Sequence, residues 1–157
     1  MKNSADPLRT RQRIEPLVSL ATPQLIDLNA AAAPYPGLTV IEHRESGTFP
    51  LNIAGIALWS AREQTTATYL SGYDLRRRIR TKHALNANAL DSLLKHSHLI
   101  PSEWKGKQIY FWGTIYRDLN DEQCVRYLYA PYETWKWGCS SLAERFYDTR
   151  PAALRLS

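Results

Sequence analysis

Along residues 107–116 large apolar side chains occupy both sides of a two-residue repeat. Ile109, Phe111 and Ile115, with Gly113, fall on one side, and Tyr110, Trp112 and Tyr116, with Thr114, on the other. A strand wetted on one face alternates apolar with polar residues, so this one is predicted to be buried on both. The polar stretch 117–122 ends it, with Asp118, Asn120 and Asp121 suited to side-chain-to-backbone turn bonds. A second strand is predicted over 123–130, setting Val125, Tyr127 and Tyr129 against Cys124, Arg126 and Leu128. Pro131 closes it, because proline has no N–H for a ladder. A third, over 134–139, sets Trp135, Trp137 and Cys139 against Lys136 and Gly138. Short connections favour antiparallel neighbours, so the three read as a meander. Four of the five tryptophans and five of the nine tyrosines lie in 100–139. Aromatic side chains bury the most apolar surface each, which makes this stretch the expected nucleus of the core.

Upstream, Thr22-Pro23 reads as a helix start, and Leu25, Ile26 and Leu28 with Ala30 to Ala33 as the helix, stopped by Pro34-Tyr35-Pro36-Gly37. Strands are predicted over 38–43 and 51–59, paired as a hairpin, with Gly55 marking a bulge or a close backbone approach. Ser60-Ala61-Arg62-Glu63 fits a capping box that starts a helix to about residue 70, closed by Ser71-Gly72. Asn86 or Asn88 caps a further helix with Leu90, Leu93, Leu94 and Leu99 as its stripe, and Pro101 ends it and opens a turn through Trp104. Leu142, Phe146 and Tyr147 pin the tail to the core, and Pro151 argues against a helix running to the end. The fold class that follows is α+β: a single domain, a mostly antiparallel sheet with two or three helices packed on one side of it and an aromatic C-terminal meander. Residues 21–157 form that globular domain. Residues 1–20 read as a basic arm carrying Arg9, Arg11 and Arg13, either mobile or a short helix capped by Asp6-Pro7.

Composition narrows the picture. A chain of 157 residues suits one domain, and at about this length folding buries roughly 68–70% of the unfolded surface. Two cysteines cannot make a disulfide framework, so reduced thiols and a cytoplasmic location are expected. Residues 1–20 lack the apolar core of a signal peptide, and no apolar run approaches the roughly 20 residues of a membrane helix. The formal charge of +5 favours anionic partners while remaining ordinary for solubility.

Four chemistries have candidate residues in this chain. His96, His98, Cys124 and Cys139 are zinc-type ligands, but no Cys-x-x-Cys is present and histidines two apart on a helix face different ways, so no metal and no cofactor is expected. Either cysteine with His43, His83, His96 or His98 would make a thiolate–imidazole pair, yet strand cysteines are usually inert. With no nucleophile elbow, phosphate-cradling loop or dinucleotide fingerprint, no catalytic residue is assigned. The basic run Arg76, Arg77, Arg78, Arg80 and Lys82 is the candidate anionic-partner site. Tyr110, Trp112, Tyr127 and Trp135 are the candidate aromatic contact surface, able to stack bases or to anchor a protein. The leading expectation is a non-enzymatic binding protein whose partner is an unidentified protein. Nucleic acid bound by the basic run is the alternative, and an enzyme of unknown class the third.

The segments IPSEWKGK, YFWGTIYRD, CVRYLY and WKWG, in that order, resemble a group of small bacterial proteins with no assigned activity. Those proteins carry a Leu-rich helix, a Trp-Lys-Gly-Lys segment, a Phe-Trp-Gly-Thr strand and a Val-Arg-x-Leu-Tyr strand. The resemblance spans about residues 86–154 and includes the ending Pro151-Ala152-Ala153-Leu154. It implies no catalytic or binding residue. The chain departs from it after Tyr129, where Ala130-Pro131 replaces an aromatic, glycine-containing turn.

Overall fold

The aromatic stretch folds as a bent strand, and the other elements are arranged around its bend. The computed structural model describes residues 24–156. Among them run β1 (Leu25–Asp27), β2 (Thr39–His43), β3 (Thr48–Pro50), β4 (Ile56–Trp59), β5 (Leu70–Ser71), α1 (Gly72–Ile79) and α2 (Ala87–Lys95). There follow β6 (Ile109–Tyr110), β7 (Thr114–Arg117), β8 (Gln123–Tyr129), β9 (Lys136–Ser141), β10 (Arg145–Phe146) and β11 (Ala152–Arg155). The main sheet has the order β2-β7-β8-β6-β11-β4, with β9 on the other edge of β8. Its pairings are antiparallel except the single β6–β11 bridge, Tyr110 to Ala152. Two small pairs, β1-β3 and β5-β10, flank it. The chain is thus one α+β domain, as expected.

The bend has a countable cause. Tyr110 lies opposite Tyr127 and Tyr116 opposite Cys124, so residues 111–115 face only 125 and 126. Three extra residues form the bend, and an odd number reverses the side-chain alternation. Ile109 and Phe111 therefore join the core layer of Leu128, Leu90 and Leu93, under α2. Ile115 crosses to the opposite layer with Tyr110, Trp112, Val125, Leu75, Ile79 and Phe146, under α1. This corrects the strict alternation read from the sequence and the placing of all helices on one side, since α1 and α2 cover opposite faces. Phe111 and Trp112 are both buried, as a strand covered on both faces requires.

Gly113 is where three segments meet. Its N–H donates to the Leu85 carbonyl at 2.9 Å, and its carbonyl accepts from the Arg44 N–H at 2.7 Å. A β-carbon there would stand 2.8 Å from the backbone N and Cα of Asn86, so only glycine lets the chains approach this closely.

Several local expectations hold. Asn86 caps α2 through its side chain, Ser102–Trp104 forms the extra turn after Pro101, and Leu142 and Phe146 are fully buried. Others are overturned. Leu25 to Asp27 is a strand against β3, not a helix: Ile26 faces Phe49 in the core, and the Asp27 carboxylate accepts from the Asn29 amide. Tertiary pairing outweighs the helix propensity of the four alanines. The 38–43 and 51–59 segments do not form a hairpin; β2 pairs with β7 and β4 with β11, while Ile53–Gly55 is a 3₁₀ turn. No helix follows Ser60. The Gln64 side chain accepts from the Ala61 N–H, and the Thr65 hydroxyl accepts from the amides of Ala67 and Thr68. Side-chain bonds of this kind compete with the helical ladder. Ser71 opens a helix instead of closing one, its hydroxyl accepting from the Asp74 amide at 3.1 Å. The proposed arm 1–20 and the Thr22-Pro23 helix start lie outside the described residues.

Candidate anion-binding site

On the α1 face of the sheet, a cavity of about 250 Å³ opens between the end of α1 and β2, lined by Glu42, Arg44, Arg76, Ile79, Arg80 and Trp112. Arg76 and Arg80 stand four residues apart around α1 and so share one side of it. The hydrophobic positions Leu75 and Ile79 seat the helix on the sheet, which aims that side at β2. Arg44 leaves the end of β2 and reaches back to the last turn of α1, its guanidinium donating to the carbonyls of Arg80 at 2.7 Å and Ile79 at 3.4 Å. A helix C-terminus carries partial negative charge and by itself repels anions. Arg44 neutralises that end and adds its own charge to the cavity.

Arg76 is held by the Gln123 side chain and by Glu42, at 3.3 Å from the carboxylate. Arg80 makes no side-chain hydrogen bond among the described residues and is exposed. Trp112 is only 2% exposed, and its indole Nε1 is a buried donor without a partner among the described residues. A buried N–H left unsatisfied costs on the order of 1–3 kcal/mol. Three guanidiniums against one carboxylate leave two net positive charges around the space.

The basic run divides by helix geometry. Arg76 and Arg80 line the cavity, while Arg77 pairs with Asp74 and Arg78 makes a forked pair with Glu63 at 2.9 and 2.6 Å. The hydrogen bonds from Arg78 pull the Glu63 carboxyl down to about 2. Lys82 sits with its ammonium 4.6 Å from the Trp59 ring centre. The five residues therefore do not present one continuous cationic stripe.

The aromatic set also divides. Tyr110 and Trp112 are core residues and present no exposed ring for stacking, although Trp112 also lines the cavity. Tyr127 is half-buried against Tyr110, with ring centres 4.9 Å apart, and Trp135 packs on the opposite core layer. The four do not share a face: Tyr110, Trp112 and Tyr127 belong to the α1 layer and Trp135 to the α2 layer.

The thiols and imidazoles are elsewhere. Cys124 and Cys139 are free thiols on one face of neighbouring strands; the neighbouring thiol and burial push Cys139 up, and Cys124 is lowered by its neighbour. Both nitrogens of His43 are engaged: its Nε2 donates to the Ala30 carbonyl at 2.9 Å, which leaves Nδ1 to accept from the Thr114 hydroxyl at 2.8 Å. His96 and His98 stand edge to face with each other, ring centres 6.3 Å apart. Among the described residues no group of three or more His, Cys, Asp or Glu is placed to hold a metal ion.

Sequence reasoning missed Arg44 and Glu42, which join Arg76 and Arg80 only through the pairing of β2 with β7. No local signal marks them. It also missed Arg126, fully buried in β8; an arginine sharing a strand face with Cys124 and Leu128 was the available signal. No family model matches the chain, and no curated protein or solved structure matches it.

Proposed function

We propose that this is a non-enzymatic binding protein that recognises an anionic group on a partner, through the cavity of Arg44, Arg76, Arg80 and the indole N–H of Trp112. The observation that carries this reading is the cavity itself, where Arg44, Arg76 and Arg80 face a single carboxylate, Glu42, and leave two net positive charges beside the Trp112 ring, whose buried Nε1 has no partner among the described residues. Guanidinium donors suit phosphate and carboxylate because their planar fork makes paired, charge-assisted bonds. The proposed setting is the cytoplasm, where adjacent thiols such as Cys124 and Cys139 stay reduced. The likeness to small bacterial proteins belongs to the same proposal and transfers no site residue.

A discrete cavity is favoured over a nucleic-acid track because Arg77 and Arg78 are already committed to Asp74 and Glu63. Tryptophan fluorescence titrated with inorganic phosphate tests the reading. Saturable binding is expected, with Arg80→Glu weakening it by about tenfold or more, a loss of roughly 1.4 kcal/mol, and barely moving the melting temperature. Trp112→Phe, which removes the N–H, should weaken binding as well. Absence of saturable binding, or equal binding by Arg80→Glu, overturns it. A single-stranded oligonucleotide serves as the contrast. Each phosphate contact gives a log–log salt slope of roughly −0.7, so a slope steeper than about −3 would return the nucleic-acid reading to first place.

A further inference from the structure

We propose that β2 takes up an extended peptide as an added strand, and that this peptide delivers a phosphorylated side chain to the arginine cavity; the proposal rests on the anion-binding reading above. β2 is the outermost strand of the main sheet among the described residues, and its far edge carries no strand there. Four of its five residues are exposed, and Thr39, Val40 and Ile41 are all β-branched. Val40 and Ile41 remain 39% and 38% exposed. Natural edges are blunted by charged residues, proline or a bulge; Thr39 to Ile41 carry no charge and no proline, and the charge and the ladder irregularity of β2 come only at its Glu42 end. Unpaired N–H and C=O groups beside β-branched side chains are what a strand-adding ligand uses: the main chain supplies affinity and alternate side chains supply specificity.

The edge leads into the cavity. The ladder with β7 shifts between Val40 and Glu42, and Glu42, on the cavity side of that shift, is both a β2 residue and a cavity wall bonded to Arg76. A peptide paired along 39–41 thus reaches the guanidiniums within about one residue, since a strand advances roughly 3.3 Å per residue. The two net positive charges match the roughly −1.5 to −2 of a phosphate monoester at neutral pH. A single carboxylate would leave one guanidinium uncompensated.

The test passes degenerate nine-residue peptides with a fixed central phosphoserine over the immobilised full chain, beside libraries fixed with serine or glutamate. The phosphoserine library should be retained about tenfold or more over both, with inorganic phosphate competing. Retained peptides should be depleted of proline and enriched in Val, Ile and Thr at alternate positions around the phosphoserine. Amide exchange across 39–42 should slow with the retained peptides and not with inorganic phosphate alone. Arg80→Ala, at an exposed position, should release the peptides without lowering the melting temperature. Proline-tolerant retention, or no added protection at 39–42, sinks strand addition while leaving the anion cavity standing. Equal retention of the glutamate library sinks the phosphate assignment. Failure of both peptides and inorganic phosphate to bind overturns the cavity reading itself.

Discussion

Arg126 donates to the Asp91 carboxylate at 2.9 Å from a side chain that is 1% exposed. The Tyr35 hydroxyl donates to the same oxygen at 2.7 Å, and the guanidinium carbon lies 4.2 Å from the Tyr35 ring centre and 4.1 Å from that of Trp137. One carboxylate on α2 therefore ties β8, the chain before β2 and the aromatic β9 together. Burial and then the Asp91 carboxylate push the Tyr35 hydroxyl up, so it stays a donor through neutral pH.

Asp91→Ala should destabilise the fold by about 3 kcal/mol, near the lower end for a broken buried pair because Asp91 keeps some contact with water. Most of the cost is the stranded Arg126 charge, so adding Arg126→Met should recover a large part of it. Urea unfolding of both variants measures this. A loss below about 1 kcal/mol for Asp91→Ala would mean the pair is not a structural tie.

Phe111→Ala removes a fully buried ring from the α2 layer and should cost about 3–5 kcal/mol in denaturant unfolding. A cost under about 1 kcal/mol would place Phe111 at the periphery, contrary to its burial.

Gly113→Ala puts a methyl group against the Asn86 backbone, 2.8 Å from its N and Cα. Neither chain gives easily, since each is hydrogen-bonded at that point, so a loss of about 1–3 kcal/mol is expected. The same substitution should also weaken phosphate binding, because Arg44 leaves β2 through a hydrogen bond to the Gly113 carbonyl. A fully stable variant would show that the crossing has slack.

Acid should loosen the loop before α1. The Glu63 carboxyl is lowered from 4.5 to about 2, chiefly by its hydrogen bonds from Arg78. A depressed carboxyl contributes stability that is complete above its unfolded value and lost as pH falls through the folded one. The window is therefore about pH 4.5 down to 2. Glu63→Gln should flatten the decline of the melting temperature there and change nothing at pH 7 beyond a small offset. Identical acid profiles for the two proteins would show that the pair is too screened to matter.

The sequence by itself determined the class of the fold, the aromatic meander, the helix capped at Asn86 or Asn88 and the buried pair Phe111 and Trp112, and the structure chose Asn86 as the cap. These follow from local signals: two-residue repeats, a capping side chain and prolines that cannot donate. Tertiary structure alone decided the rest. The extra residues at 111–115 turned Ile115 to the other face, which no period within the strand records. Pairing with β3 made a strand of the alanine-flanked 25–27, and Ser71 proved to start a helix because Asp74 followed it into α1. The basic run looked like one site because its residues are neighbours in sequence. Around a helix only Arg76 and Arg80 face the cavity, while Arg77 and Arg78 find carboxylates of their own. The partners that complete the cavity, Arg44, Glu42 and Trp112, come from β2, its end and the bend between β6 and β7, 32 or more residues away from Arg76 in the chain. That assembly depends on β2 pairing with β7, a contact whose cause is the whole core and not any one stretch.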